Sequence, residues 1–276
     1  MAAASEDLFA RLERFYDAVP RDGSHTENFG ALVLFVRDGT GWSYYARPRL
    51  DATRAPSVAD ITRVRARQRE LGVPESIEWV HENHPSLLAV ARSAGLSVLE
   101  APLMVLDPAA LPPVTQLTDI PVRLLDPAAP TFATDVAIRR AVAAVGFGVP
   151  GTAVGGPGPA ARDTALVELS EDALDEERSR TEAGLRVSAL AELPGHGAVA
   201  SGMALRVGDA AEIAGIATLP VARRRGLGAA VTAALARRLL DDGTDLVFLS
   251  AGSPEIARVY LRVGFRQVGT ACIANA

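Results

Sequence analysis

Lysine is missing from this chain: all 28 basic residues that stay charged at neutral pH are arginine. That excludes a P-loop, whose Gly-x-x-x-x-Gly-Lys pattern needs the amine. We read the bias as the codon usage of a GC-rich bacterial genome before any mechanism. Cysteine is almost missing too. Cys272 stands alone near the C-terminus, which excludes an internal disulfide and a thiolate metal cluster and argues against a nucleophilic thiol. With four histidines no His/Asp/Glu spacing suggests a metal, and no Gly-x-Ser-x-Gly elbow suggests a hydrolase. No apolar run reaches membrane-spanning length, and Met1–Glu6 is small and acidic, without a basic region leading into an apolar stretch. The expectation is a cytoplasmic protein with no membrane contact. Positive charge is in deficit as well: the net charge is -5 and the pI about 5.5, which argues against broad electrostatic binding of nucleic acid.

What is present is an ordinary packed composition, 49% hydrophobic and 22% charged in 276 residues, enough for one large domain or two of average size. Leu8, Leu12, Phe15 and Tyr16 fall at helical spacing, so a helix is expected near 5–18. Strands at 29–37 and 42–47 are expected to form a hairpin across Asp38-Gly-Thr-Gly41. A helix follows at 57–71 with Ser57 as N-cap and Gly72 as stop, then a strand at 76–80, a helix at 85–94 and a strand at 96–106. Residues 107–121 carry four prolines and read as a linker. Beyond it the pattern predicts a strand at 122–125, a helix at 131–145 with Val136, Ile138 and Val142 inward, and a mobile glycine- and proline-rich loop at 146–159. A helix set on a core by Leu166, Leu169 and Ala173 comes next. A hairpin at 185–193 and 198–207, a strand at 211–218, a helix at 228–240, a strand at 246–250, a helix at 254–263 and a strand at 266–273 complete the order.

The most informative stretch is Ala211–Ala229, a strand feeding a turn dense in arginine and glycine and then an alanine-rich helix. The first N–H groups of a helix have no partner inside it, and its dipole favours negative charge there. Gly226 and Gly228 let a ligand approach the backbone, and Arg223, Arg224 and Arg225 add full charge. This is a phosphate cradle. It is no dinucleotide fingerprint, since the third glycine position holds Val231. The chain also repeats at an offset of 169: Pro85, Leu87, Val90 and Gly95 align with Pro254, Ile256, Val259 and Gly264, and Ala91 stands where the second copy has Tyr260. Two domains of one fold are expected, 1–106 and 122–276, the first without the arginine–glycine turn.

From about Val122 onward the chain resembles the GCN5-related N-acetyltransferases. Arg223-Arg-Arg-Gly226-Leu-Gly228 fits their Arg/Gln-x-x-Gly-x-Gly/Ala signature, Leu219-Pro220 their lead-in, and Tyr260 with Gly264-Phe265 their second signature. The resemblance implies an α+β fold: tandem domains, each a mixed, mostly antiparallel sheet flanked by helices. It implies acetyl-coenzyme A as co-substrate and no metal, the diphosphate resting on the backbone N–H groups of residues 224–229 (Leu227 and Ala229 included) with cofactor-site Arg223 at the position the family uses to close the turn, and the pantetheine amides on Ile216, Ala217 and Thr218. Ser253 stands where many members carry asparagine and can offer the cofactor a hydroxyl. Glu212 resembles the family's general base and Tyr260 its general acid toward the departing sulfur. The acceptor is expected to be a small-molecule or protein amine bound near the 146–163 loop. The acidic run Glu168, Glu171, Asp172, Asp175, Glu176 and Glu177 either steers a cationic amine or is a solvated face. The protein is expected to be a monomer or homodimer, its N-terminal domain a degenerate copy. Two other readings stay open, a non-catalytic acyl-coenzyme A sensor or scaffold and a transferase using another activated donor such as aminoacyl-tRNA.

Overall fold

The computed structural model of the chain describes residues 7–39 and 44–276. Met1–Glu6 and Thr40–Ser43, including the start of the strand expected at 42–47, lie outside the described residues. By their contacts the residues fall into two units, Met1–Leu103 with Val268–Ala276, and Met104–Gln267. The boundary falls inside the last strand, whose residues from Val268 onward are grouped with the first unit.

In the first unit α1 (Leu8–Arg21) is followed by β1 (Ser24–Phe29), β2 (Leu32–Arg37), β3 (Ala46–Pro48), α2 (Val58–Glu70), β4 (Ser76–Val80), α3 (Leu87–Ser93) and β5 (Ser97–Leu106), whose residues from Met104 belong to the second unit. The unbroken strand expected from Phe29 is in fact interrupted. Gly30 takes a left-handed φ of 65° and turns β1 back along β2, and a Cβ there would sit 2.0 Å from the Asp60 carboxylate. Strands β2, β3 and β4 adjoin in order, β3 and β4 parallel. Leu32, Leu34, Ile61, Val64, Ile77, Trp79 and Leu87 fill a core on one side of them. Helix α2 opens on a complete capping box: the Ser57 hydroxyl accepts from the Asp60 N–H, and the Asp60 carboxylate accepts from the Ser57 N–H. Asp60 is fully buried, also accepts from Arg54 and Arg63, and is held well below the usual carboxylate range, first by the Arg54 hydrogen bond.

The second unit carries β6 (Val122–Leu124), α4 (Phe132–Gly148), α5 (Pro159–Thr164), α6 (Glu171–Glu182), β7 (Arg186–Leu193), β8 (Gly197–Val207), β9 (Ala210–Thr218), α7 (Leu227–Asp241), β10 (Leu246–Ser250) and α8 (Pro254–Leu261), and β11 (Phe265–Asn275) runs out of it. Strands β6, β7, β8 and β9 form an antiparallel meander, and β10 joins β9 in parallel. The core lies under α7, where Leu227, Val231, Leu235 and Leu239 recur at helical spacing and are all buried. The offset of 169 that aligns the later helices also sets Val58, the first residue of α2, on Leu227, the first of α7.

Two expectations are corrected here. No helix covers Leu166 or Leu169. Ser170 caps α6 by accepting from the Ala173 N–H, so the helix begins after them, and Leu166 is exposed. Its one buried residue is the charged Glu177. The stretch read as one loop from 146 is shorter, because α4 continues to Gly148 and Pro159 starts α5.

Candidate active site

Strand β9 is the axis of the site. Its pairing with β10 covers only Ala210, Ala211 and Glu212, although β10 continues to Ser250. From Ile213 to Thr218 its partner is β8 alone. The two parallel strands therefore part toward their C-terminal ends, leaving backbone groups of β9 along an open edge. On the β8 side the register slips between Ser201 and Met203, so Gly215 and Ile216 together face Gly202. Gly215 takes a left-handed φ of 64° to make this bulge. An isolated glycine inside a strand pattern is a bulge signal that the sequence reading passed over. The extra residue reverses the alternation of side chains. By register Glu212, Ala214 and Ala217 share a face with Ser201 and Met203, while Ile216 and Thr218 turn to the other face. The second face belongs to α7, since a Cβ on Gly202 would strike Ile216, Val231 and Leu235. The first belongs to α4: Ser201 donates to the Arg139 carbonyl, and a Cβ on Gly146 would lie 2.9 Å from that of Ala217.

The cradle follows. Leu219–Ala222 passes through a single 3₁₀ turn, Arg224 takes a left-handed φ of 67°, and Gly226 begins α7 with φ 75°. Arg224 is the one non-glycine residue with positive φ among the described residues. Such backbone costs about 1–2 kcal/mol and collects at ligand-binding turns. A Cβ on Gly226 would meet the Leu117 carbonyl oxygen at 2.1 Å, so glycine is required there by the fold. Gly228 differs. A Cβ there would make only ordinary contacts, with Ile216 at 3.7 Å and Thr218 at 3.9 Å, so the fold does not demand glycine at that position. The first backbone bond of α7 runs from the Ala230 N–H to the Gly226 carbonyl, leaving the N–H groups of Leu227, Gly228 and Ala229 ahead of it. No side chain caps this end, and no acidic residue stands in its first turn. Arg224 and Arg225 are exposed beside it, while the Leu227 and Ala229 side chains are buried in the core.

Arg223 points elsewhere. Its Nη2 donates to the carbonyls of Gly146 (2.8 Å) and Val149 (2.7 Å), and its Nη1 to that of Ala153 (3.2 Å). The same segment bonds the 3₁₀ turn through Gly155 N–H to Pro220 and Val221 N–H to Pro157, and Thr152 donates to Glu255 on α8. Two of its glycines serve close packing: Cβ atoms on Gly155 and Gly158 would lie 3.1 Å from Pro220 and 2.8 Å from Val221. The segment read as a mobile loop is stitched along 217–223 and to α8.

The remaining candidates are distributed around the parting strands. Glu212 is the last β9 residue paired with β10, opposite Phe248, and is partly exposed. Tyr260 lies on α8, buried edge-on against Phe265, and burial pushes its phenol up to about 12. Ser253 caps α8, its hydroxyl accepting from the Ile256 N–H at 3.2 Å, so its oxygen already has a structural duty. Cys272 is fully buried and its thiol is pushed up to about 11, unlike a nucleophilic thiolate.

One feature escaped the sequence reading. Glu177 is buried and receives Arg139 (3.0 Å), Arg140 (2.9 Å) and Arg186 (2.7 Å). Burial alone would raise this carboxyl. The charges of Arg139 and Arg186 overturn that and hold it at about 2, while burial brings the Arg139 guanidinium down to about 10. Arg139 also donates to the Met203 sulfur, on the Glu212 face of the sheet. Glu177 is thus a structural counterion. The rest of the acidic run is exposed, with Glu176 paired to Arg180.

Residues 196–273 match the family model described as FR47-like protein. Among solved structures the chain is similar to a GCN5-related N-acetyltransferase from Kribbella flavida, at 21% identity and a TM-score of 0.68, over 98% of this chain and 96% of that one. It is similar to a GCN5-related N-acetyltransferase-like protein from Streptococcus suis, at 12% identity and a TM-score of 0.52, over 97% of each chain. It is also similar to a tandem GNAT protein from the clavulanic acid biosynthesis pathway, at 13% identity and a TM-score of 0.52, over 89% of this chain and 78% of that one. At these identities the likeness is one of fold. No curated protein matches the chain by sequence.

Proposed function

From a tandem fold of the GCN5-related N-acetyltransferase kind, we propose that the second unit is an N-acyltransferase that moves an acetyl group from acetyl-coenzyme A to an amine. The observation that carries this reading is the parting of β9 from β10 directly above an uncapped, glycine-opened helix start. Free backbone edge beside the N–H groups of residues 227–229 suits a ligand with amides at one end and a diphosphate at the other. Gly228 keeps the approach clear, and the exposed Arg224 and Arg225 add charge for phosphate. Acetyl-coenzyme A, when bound, supplies an activated thioester.

Chain residues then divide the remaining work. The edge of β9 at Ile216, Ala217 and Thr218 holds and aligns the pantetheine arm. Glu212, partly exposed where the strands part, accepts the proton that the attacking amine must lose, directly or through water. Tyr260, kept protonated by burial, donates to the departing sulfur. Ser253 contributes through the geometry of α8, which it caps, and its O–H remains able to donate to the cofactor. The first unit stands as the degenerate copy: its corresponding helix start is closed by Ser57 and Asp60, and Ala91 replaces the tyrosine.

The test is a turnover and calorimetry screen of the purified chain with acetyl-coenzyme A against diverse primary amines, reading free thiol. Amine-dependent thiol release with micromolar binding of coenzyme A supports the proposal. Binding without turnover on any amine favours the sensor reading, and no binding ends both.

A further inference from the structure

Resting on that reading, we propose that Arg223 is a positioning residue for the acceptor side. Its side chain holds the 146–158 segment against the strand end and does not bind the cofactor's diphosphate. Three of its five N–H donors are directed at main-chain carbonyls of Gly146, Val149 and Ala153. Those carbonyls lie at the C-terminal end of α4 and just beyond it, where helix carbonyls lack internal partners and the dipole favours a cation. The planar fork can serve several carbonyls at once, which a lysine ammonium on a single flexible stem does less well.

What Arg223 holds has consequences on two sides. Toward β9, Gly146 packs on Ala217 and the Thr218 backbone, within the stretch assigned to the pantetheine arm. Toward solvent, the same segment carries the exposed Phe147 and Val154, and its Thr152 reaches Glu255 in the first turn of α8, the helix of Tyr260. One side chain thus ties together the end of α4, the 3₁₀ turn before the cradle and the ten residues between α4 and α5. The neighbouring arginines divide the labour: Arg224 and Arg225 are exposed and carry the charge offered to phosphate.

The experiment compares the full chain with Arg223→Gln, Arg223→Lys and Arg224→Gln by hydrogen–deuterium exchange, coenzyme A calorimetry and steady-state kinetics. For Arg223→Gln the expected results are exchange at least tenfold faster at residues 149–158 and at Val221, with coenzyme A dissociation constants within threefold of the parent. KM for the amine should rise at least tenfold, and Arg223→Lys should restore part of it. Arg224→Gln should weaken coenzyme A without altering exchange at 149–158. Unchanged exchange in Arg223→Gln, acceleration spread equally over β8 and α7, or a tenfold loss of coenzyme A affinity with amine KM unchanged would each overturn the proposal. The exchange and calorimetry arms need no turnover. A parent that acetylates no amine in the panel therefore defeats the functional reading while the role of Arg223 is still decided.

Discussion

Ser57 and Gly226 occupy the same place in the two halves of the chain, 169 residues apart, each at the N-cap of its helix, and they treat that helix end in opposite ways. Ser57 closes it, with the buried Asp60 carboxylate completing the box. Gly226 offers no side chain and turns the backbone left-handed, so the three N–H groups after it meet no side-chain cap. An internal carboxylate thus sits where the other half is proposed to take an external phosphate.

This contrast predicts that Ser57→Ala and Gly228→Leu will separate stability from binding. Loss of the cap should cost about 1 kcal/mol, seen as a lower melting temperature with coenzyme A affinity unchanged. Gly228→Leu should leave the melting temperature within a few degrees and reduce coenzyme A affinity at least tenfold by calorimetry. Its Cβ meets only ordinary neighbours, and the longer side chain enters the approach proposed for the diphosphate.

Gly226→Ala should behave as neither. The left-handed φ penalises any Cβ by about 1–2 kcal/mol, and the Leu117 carbonyl stands in its place. Thermal unfolding of this variant should shift down by more than that of Ser57→Ala, at an unchanged or lower expression yield.

Tyr260→Phe should keep the fold, because the ring against Phe265 is retained. Its turnover should fall about 100-fold or more, the range for loss of a general acid, with coenzyme A affinity within twofold. In the parent chain, loss of any rate from ionisation of this phenol is expected only as the pH nears 12. An alkaline limb near pH 10 that vanishes in the phenylalanine variant would contradict the assigned environment.

Glu177 should be felt as acid sensitivity. Its carboxyl lies at about 2 in the folded chain against 4.5 as a reference. The deprotonated form therefore stabilises the fold fully above the reference value, and that contribution disappears as pH falls from about 4.5 toward 2. Glu177→Gln leaves Arg139 buried without its counterion and should cost about 3 kcal/mol at neutral pH. The difference from the parent should shrink in denaturant titrations repeated at falling pH.

How far the sequence was legible follows the range of the interactions involved. The N-cap at Ser57, the stop at Gly72, the hairpin at 186–207 and the arginine–glycine turn were readable because each is settled within a few residues by backbone sterics and local hydrogen bonds. The helix read through Leu166 failed because those leucines precede the cap at Ser170, and the helix is held by a charged residue that periodicity counts as polar. Gly155 and Gly158 look like freedom and are close packing, since what they pack against, Pro220 and Val221, is far away in sequence.

By itself, then, the sequence determined most of the elements, their order and the turn whose chemistry points to phosphate, all consequences of short-range geometry. Tertiary structure alone decided that β9 leaves β10 directly after Glu212 and that Arg223 grips the end of α4. It also decided that the final strand, from Val268 onward, groups with the first unit. Each of these depends on which distant main-chain groups find one another once the core has closed, and no local pattern of side chains encodes that.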